Sequence, residues 1–143
     1  MQRSVRLACP DDADGLVRLN QEFNGVDITA EEVARSLRLS PELVAVAFLG
    51  GALSGFACAR SFASFCYRER QAEITELFVT ETARGQGLAR ELLLLLEEHL
   101  HRQGVQSIKV ITGGSNEAAL KTYARSGYVR KKHAVLYKEL GPD

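Results

Sequence analysis

Hydrophobic and polar residues alternate along the chain with two different periods, which separate strands from helices. Short apolar runs at 4–8 and 43–49 predict strands, and the second run is continuous enough to lie inside a sheet. Gly50-Gly51 marks a tight hairpin, so 52–62 predicts the returning strand. Residues 70–79 predict a further strand. The three strands predicted at 43–49, 52–62 and 70–79 form an antiparallel meander.

A period near 3.6 residues predicts four helices. The first runs from about 12 to 24, and the second begins after a capping box formed by Thr29 and Glu32. A leucine-rich helix spans 88–103 and ends before a glycine, and the fourth helix spans 116–126. The helices therefore occur as an early pair and two later single helices.

Three more strands are predicted, at 106–112, 128–130 and 134–139. The basic stretch 130–133 predicts a solvated turn between the last two; a phosphate-binding patch is the alternative. The order is β-α-α-β-β-β-α-β-α-β-β. It predicts an α+β fold with a mixed, mostly antiparallel sheet in a three-layer, α/β/α-like arrangement. No linker or repeat interrupts it, so we expect a single domain over 1–143.

Composition narrows the function classes. The 143 residues carry 18 Lys+Arg and 18 Asp+Glu, and this zero net charge argues against nucleic-acid binding. No apolar run approaches the roughly 20 residues that cross a membrane, and the first residues do not resemble a secretory signal. Three dispersed cysteines make no metal pattern, so we expect small core residues, no metal and a cytoplasmic location.

The segment 77–89 has the most informative pattern, because a strand, a glycine loop and a helix start follow one another. Unpaired N–H groups at a helix start attract anions, and Gly85 and Gly87 allow close approach to the backbone. The Gly-Lys-Ser/Thr of a P-loop and the third glycine of a dinucleotide fingerprint are both missing. A phosphate or pyrophosphate site is therefore predicted, with a glycine turn that binds nothing as the alternative.

Two motifs stand out, Arg84-Gly85-Gln86-Gly87-Leu88-Ala89 after a Leu-x-Val strand at 77–79, and the segment 116–128. Both resemble the GNAT superfamily, the Gcn5-related N-acetyltransferases. The first is similar to the family's Arg/Gln-x-x-Gly-x-Gly/Ala loop, and the second to its pattern Asn-x-x-Ala-x-x-x-Tyr-x-x-x-Gly-Phe/Tyr. The element order matches over essentially the whole chain. The resemblance implies an acyl-CoA N-acyltransferase type of fold.

The resemblance also assigns residues to acetyl-CoA. It implies that the pantetheine chain pairs with the strand backbone, where the Leu77 N–H polarises the thioester carbonyl. It implies that Tyr123, on one helix face with Asn116 and Ala119, protonates the leaving thiolate. The full set implied to bind the coenzyme is Leu77, Phe78, Val79, Arg84, Gly85, Gln86, Gly87, Leu88, Ala89, Asn116, Ala119 and Tyr123.

Two carboxylates, Glu73 and Glu76, precede the pantetheine strand and are candidate catalytic residues. An ammonium acceptor must lose a proton before it attacks, and a carboxylate can accept this proton directly or through water. By analogy, Glu73 is placed like the catalytic Glu of histone-acetylating members, and Glu76 like an acidic residue facing polyamines. Residues three apart face opposite sides of a regular strand, unless a bulge intervenes. Which of the two is the base stays open.

The function expected from the resemblance is transfer of an acetyl group from acetyl-CoA to a primary amine, by direct attack in a ternary complex. The acceptor could be a small amine, an antibiotic, or a peptide or protein amine. A non-catalytic coenzyme-A-binding sensor or interaction module is the alternative. A homodimer is left open.

Overall fold

A computed structural model describes residues 1–142 and contains one five-stranded open sheet with four helices. The elements, in chain order, are β1 (Arg3–Leu7), α1 (Ala13–Asn24), α2 (Ala30–Leu39), β2 (Leu43–Leu49), β3 (Ala52–Phe62), β4 (Arg70–Val79), α3 (Leu88–Arg102), β5 (Val105–Val110) and α4 (Glu117–Arg125). The predicted bounds of β2, β3 and β4 are confirmed at both ends. The other predicted bounds of these elements differ by at most two residues.

The sheet order is β1-β2-β3-β4-β5. Neighbouring strands are antiparallel as far as β4, and β5 runs parallel to β4. Strands β4 and β5 are parallel because α3 connects them in sequence and brings the chain back to the end of the sheet at which β4 begins. The mixed, mostly antiparallel sheet is thus confirmed.

Helices cover both faces of the sheet and give the expected three layers. On one face, Leu92, Leu93, Leu96 and Leu100 of α3 are completely buried against small residues of the central strands. Each such leucine contributes about 1.5–3 kcal/mol through burial of its apolar surface. On the other face, Leu19 of α1 packs among aromatic side chains in a second core cluster. The α+β fold therefore rests on two separate cores.

The turn between β1 and α1 is fixed by one buried carboxylate. Asp12 accepts two hydrogen bonds from Arg6, at 2.7 and 2.9 Å, and a third from the Cys9 backbone N–H at 2.8 Å. The Arg6 hydrogen bond lowers the pKa of Asp12 below its usual value, against the opposing effect of desolvation. This cluster ties the start of α1 to β1.

The last two predicted strands, 128–130 and 134–139, are wrong for this structure, because residues 128–142 contain no strand. Val135, Leu136 and Tyr137 are 63%, 92% and 83% exposed. The stretch 130–133 is consequently not a turn between paired strands. A strand needs a neighbour to accept its backbone hydrogen bonds, and no described part of the sheet takes this role. We call residues 129–142 the C-terminal arm.

The cysteines divide between core and surface. Cys58 is buried, and burial raises the pKa of its thiol, so it is not a thiolate nucleophile. Cys9 and Cys66 are exposed, which corrects the expectation that all three belong in or near the core. Residues 1–142 hold no cluster of three or more metal-ligating side chains. None of the helices described there combines the length and apolarity needed to cross a membrane.

Candidate active site

The sheet opens between β4 and β5. Their pairing begins at Arg70 and Val105 and stops at Ile74 and Val110, whereas β4 continues to Val79. Within residues 1–142, β4 from residue 75 onwards therefore has a strand partner on its β3 side alone. Unpaired strand edges bind extended amide-bearing chains by strand addition. Leu77, Phe78 and Val79, predicted to bind pantetheine, lie in this segment.

A bulge in β4 lies at the start of this opening. Glu76 pairs with Cys58 and Ile74 pairs with Ala59, so Thr75 is the extra residue. The Thr75 hydroxyl donates to the Cys58 carbonyl across the irregularity, at 3.3 Å. Because the bulge adds one residue to β4, side chains three positions apart across it point to the same side of the sheet. Glu73 and Glu76 consequently lie on the same face of the sheet, the face covered by α1 and α2.

The surroundings of the two carboxylates differ. Glu73 lies between two cations, with Arg60 at 3.6 Å and Lys109 at 3.9 Å. Glu76 has no cation within ion-pair distance in the described chain and accepts a hydrogen bond from the Asn24 amide at 3.2 Å. Glu73 is therefore neutralised within the protein, whereas Glu76 is available to a cationic ligand.

A third carboxylate, Glu42, belongs to the same region and was missed by sequence reasoning. Partial desolvation and the charge of Glu76 raise its pKa. It also lines a cavity of about 710 Å³ near the start of β4, together with Arg60 and Arg70. No local motif identifies Glu42, because its proximity to Glu76 comes from the pairing of β2, β3 and β4.

Aromatic rings form the apolar wall beside Glu76. Phe23 of α1 stacks on Phe78 with centroids 4.8 Å apart and meets Phe56 edge-on at 6.1 Å. Asn24, which follows Phe23, reaches Glu76 from the same helix end. The α1 terminus thus places a ring and an amide next to the β4 opening. The loop aromatics Phe65 and Tyr67 are exposed.

The glycine loop joins the end of β4 to α3. Gly85 and Gly87 have φ angles of 76° and 83°, in the left-handed region that favours glycine. Gly87 is the N-cap of α3 and has no side-chain cap. Four N–H groups at such a helix start lack a partner within the helix, and the positive end of the helix dipole adds to their attraction for anions. The predicted loop therefore has the backbone conformation that an anion site requires.

Two arginines hold this loop. Arg84 donates from Nε to the Val79 carbonyl at 3.0 Å, which connects the loop to the end of β4. Arg3 of β1 donates to the Gln86 carbonyl and lies 3.7 Å from Glu91 of α3. Arg3 was missed by sequence reasoning, because it is 83 residues from Gln86 along the chain. Both guanidinium groups add positive charge to an exposed loop.

Helix α4 presents Tyr123 to the core. Asn116 is the N-cap of α4, and its side-chain oxygen accepts the Ala119 N–H at 3.2 Å. Tyr123 is buried, and desolvation together with the Glu76 charge raises its pKa. The phenol therefore keeps its proton at neutral pH. Tyr128 packs edge-on against Tyr123 and donates its hydroxyl proton to Glu97 at 2.8 Å.

The structure thus brings predicted residues from separate segments to the β4–β5 opening. The glycine loop, the unpaired part of β4 and the Tyr123–Glu76 region follow one another around the β4–β5 opening. The coenzyme and catalytic roles assigned to these residues stay predictions.

Comparison with known proteins gives two kinds of similarity. Residues 14–128 match the Acetyltransferase (GNAT) family. A mycothiol acetyltransferase of Cellulomonas flavigena is 35% identical over 69 residues, which are 48% of this chain and 20% of the relative. The chain thus spans about a fifth of that relative's length.

Solved structures agree on the fold. An aminoglycoside acetyltransferase from an uncultured soil metagenomic sample superposes with a TM-score of 0.85 at 17% identity, covering 97% of each chain. The ribosomal-protein-alanine N-acetyltransferase of Brucella melitensis superposes with a TM-score of 0.83 at 15% identity, covering 98% of this chain and 100% of the other. These identities support the shared fold alone. With the family match over most of its length, the chain belongs to the GNAT family of acetyltransferases.

Proposed function

We propose that this chain is a single catalytic domain that transfers an acetyl group from acetyl-CoA to a primary amine, within a ternary complex. The proposal rests on the place where β4–β5 pairing ends. Pairing stops at Ile74, and the unpaired remainder of β4 leads to the glycine loop at the start of α3. GNAT acetyltransferases use acetyl-CoA as co-substrate. The free β4 edge would bind a pantetheine chain, and the loop that follows it would bind a pyrophosphate.

The coenzyme side rests on backbone groups. The N–H groups of the loop and the first turn of α3 would bind the pyrophosphate, with the Arg84 guanidinium beside them. Amides of the pantetheine chain would pair with the free β4 edge at Leu77 and Val79. These contacts need no particular side chain, which agrees with a loop in which Gly85 and Gly87 leave the backbone accessible.

The acceptor side favours a cationic amine. Glu76 forms no ion pair within the described chain, and its charge lies close enough to raise the pKa of Glu42. An ammonium group between two such carboxylates relieves their repulsion. The ring of Phe23 supplies an apolar surface for the carbon chain next to the amine. Among the acceptor classes, this arrangement suits a small polyamine or an amine-rich antibiotic as well as a lysine-like side chain.

The transfer can be written with all protons accounted for. Glu76, directly or through water, takes one proton from the ammonium, and the free nitrogen attacks the thioester carbonyl carbon. The carbon–sulfur bond breaks, and Tyr123 gives its phenolic proton to the thiolate. The nitrogen releases its second proton, which restores the phenol through solvent. One proton is released overall. The raised pKa of Tyr123 keeps this acid protonated at neutral pH.

Steady-state kinetics with Tyr123→Phe test the proposal against a panel of primary amines. We expect kcat to fall by about 10²-fold, because the general acid is lost while the ring remains. Tyr128→Phe is the matched control: its ring lies 5.6 Å from that of Tyr123, but its hydroxyl is engaged by Glu97. The control should keep kcat. Unchanged kcat in Tyr123→Phe, with chemistry rate-limiting, would exclude the acid role.

The same panel separates catalysis from binding alone. If acetyl-CoA raises the melting temperature but no amine is acetylated, the chain is a coenzyme-A-binding module. Turnover of cationic amines, with neutral hydroxyl analogues inactive, supports the transferase.

A further inference from the structure

The cavity near the start of β4 lies at a step in the sheet. Strand β3 runs to Phe62, but its pairing with β2 begins only at Ala59 and Leu43. Within residues 1–142, the segment 60–62 therefore has a strand neighbour on the β4 side alone. We call this cavity, of about 710 Å³, the step cavity. Its lining includes Ser40, Glu42, Arg60, Ser61, Arg70 and Gln103.

Arg70 contributes a half-buried guanidinium to the step cavity, and neutral groups hold it. It donates from Nε and Nη2 to the Ser61 hydroxyl, at 3.3 and 3.0 Å, and this hydroxyl donates to Gln103 Oε1 at 2.9 Å. None of the ion pairs within residues 1–142 includes Arg70. A partly desolvated charge is stabilised by an opposite charge. The orientation of Arg70 is thus fixed, while its charge is left for a ligand.

Glu42 contributes a negative charge to the same cavity. It takes part in no ion pair within the described chain, so its carboxylate does not contact the Arg70 guanidinium, whereas Arg60 already pairs with Glu73 at 3.6 Å. Desolvation, and then the charge of Glu76, raise the pKa of Glu42. The step cavity therefore holds one uncompensated charge of each sign, and its acidic side adjoins Glu76.

We propose that the step cavity binds a carboxylate of the acceptor, so that the substrate is a small amino acid rather than a polyamine. The ammonium group of the acceptor lies between Glu42 and Glu76, and its carboxylate pairs with Arg70. This inference rests on the acetyl transfer proposed above. A single carboxylate balances the one uncompensated guanidinium, whereas a doubly charged phosphate would meet stronger repulsion from Glu42.

The spacing along β3 sets the length of the acceptor. Cys58 pairs with Glu76, and Ser61, which holds the Arg70 guanidinium, follows Cys58 by three residues. Three residues of a strand span about 10 Å. An ω-amino acid, with a chain of methylene groups between its amine and its carboxylate, can bridge this distance. The two charges on the α-carbon of an amino acid are too close together to do so.

Isothermal titration calorimetry with ε-aminocaproate and with its carboxamide tests the site without turnover. The two probes have the same amine and the same carbon chain, and they differ only in the anionic group. We expect the unaltered protein to bind ε-aminocaproate about 10- to 100-fold more tightly, because only the carboxylate makes charge-assisted hydrogen bonds with Arg70. Equal affinities for the two probes would overturn the proposal.

Substitution of Arg70 locates the carboxylate. Arg70→Gln should bind the two probes with equal affinity, because it lacks the guanidinium. Arg68→Gln is the matched control, since it removes an exposed arginine two residues away that does not line the cavity. This control should keep the preference for ε-aminocaproate. A preference that survives in Arg70→Gln would overturn the assignment, and thermal unfolding without ligand verifies that both variants are folded.

Initial-rate kinetics with acetyl-CoA separate this inference from the acetyl transfer on which it rests. We expect KM for ε-aminocaproate to be about 10- to 100-fold lower than KM for the carboxamide, and Arg70→Gln to abolish the difference. Acetylation of both probes with equal KM would overturn the carboxylate site while acetyl transfer stands. If ε-aminocaproate binds through Arg70 but no amine is acetylated, the carboxylate site stands and the transferase function fails.

Discussion

Replacing Gly87 by alanine tests the anion site with a change of one methyl group. Gly87 has φ 83°, and a Cβ there would lie 2.9 Å from Arg3 Nη1. A non-glycine residue in this region costs about 1–2 kcal/mol. Displacement of Arg3 from the exposed Gln86 carbonyl adds about 0.5–1 kcal/mol. We therefore expect Gly87→Ala to lose about 1.5–3 kcal/mol of unfolding free energy.

Gly104→Ala is the matched control. Gly104 has φ 89°, and no atom lies within 4 Å of the position that an alanine methyl group would take, so this variant carries the backbone cost alone. Gly104 follows α3 at the end opposite to the glycine loop. The control should lose about 1–2 kcal/mol without any effect on ligands.

Thermal unfolding with and without acetyl-CoA separates folding from binding. At 100 times the dissociation constant, the ligand should stabilise the unaltered protein and Gly104→Ala by about 2.7 kcal/mol. If the added methyl weakens binding 100-fold, the same concentration stabilises Gly87→Ala by only about 0.4 kcal/mol. Equal ligand-induced stabilisation of the two variants would refute the assignment of the pyrophosphate to this loop.

Two further predictions concern carboxylates. Glu76→Gln should lower kcat about 10²-fold and raise KM for a cationic amine about tenfold while acetyl-CoA binding is kept, because it removes both the proton acceptor and the negative charge. Glu73→Gln should leave both constants unchanged, because Arg60 and Lys109 already neutralise Glu73. Equal constants for the two variants in initial-rate kinetics would contradict this difference. Asp12→Asn should cost about 1.5–3 kcal/mol at neutral pH in urea unfolding, because Arg6 loses a charged partner. The pKa of Asp12 is lowered from 3.8 in the folded protein, so its stabilisation is present above that pH and is lost as the pH falls through the folded-state pKa. The difference in unfolding free energy between Asp12→Asn and the unaltered protein should therefore shrink in acid. A difference that stays constant down to the lowest pH would show that the charge of Asp12 is not its cause.

Local sequence patterns were sufficient to predict the central strands and the glycine loop. Strands β2 and β3 were predicted with their observed bounds because Gly50-Gly51 fixes the hairpin register between them. The glycine loop was predictable because Gly85 and Gly87 adopt positive φ angles, a conformation that favours glycine over other residues. In such segments the physical constraint and the sequence signal lie within a few residues of each other.

Other features depend on distant parts of the chain. The Thr75 bulge is defined only against β3, and it decides that Glu73 and Glu76 share a face. Arg3 reaches the glycine loop only after β1 joins the sheet. The final strands were predicted from the local sequence, which does not show whether a strand edge is available to pair with them. These outcomes were therefore beyond what the sequence pattern could determine.

The two helices that border the opening are anchored very differently. Helix α3 continues the glycine loop into a row of fully buried leucines, whereas α4 fixes itself to the core mainly through Tyr123. Opening of α3 therefore costs nearly the whole stability of the domain, while α4 can detach at a much smaller free energy. Substitutions on α4 are correspondingly mild for the fold. The two sides of the opening therefore differ in local stability: the loop that begins α3 is held by the global fold, whereas Tyr123 lies on a helix that can open without unfolding the domain.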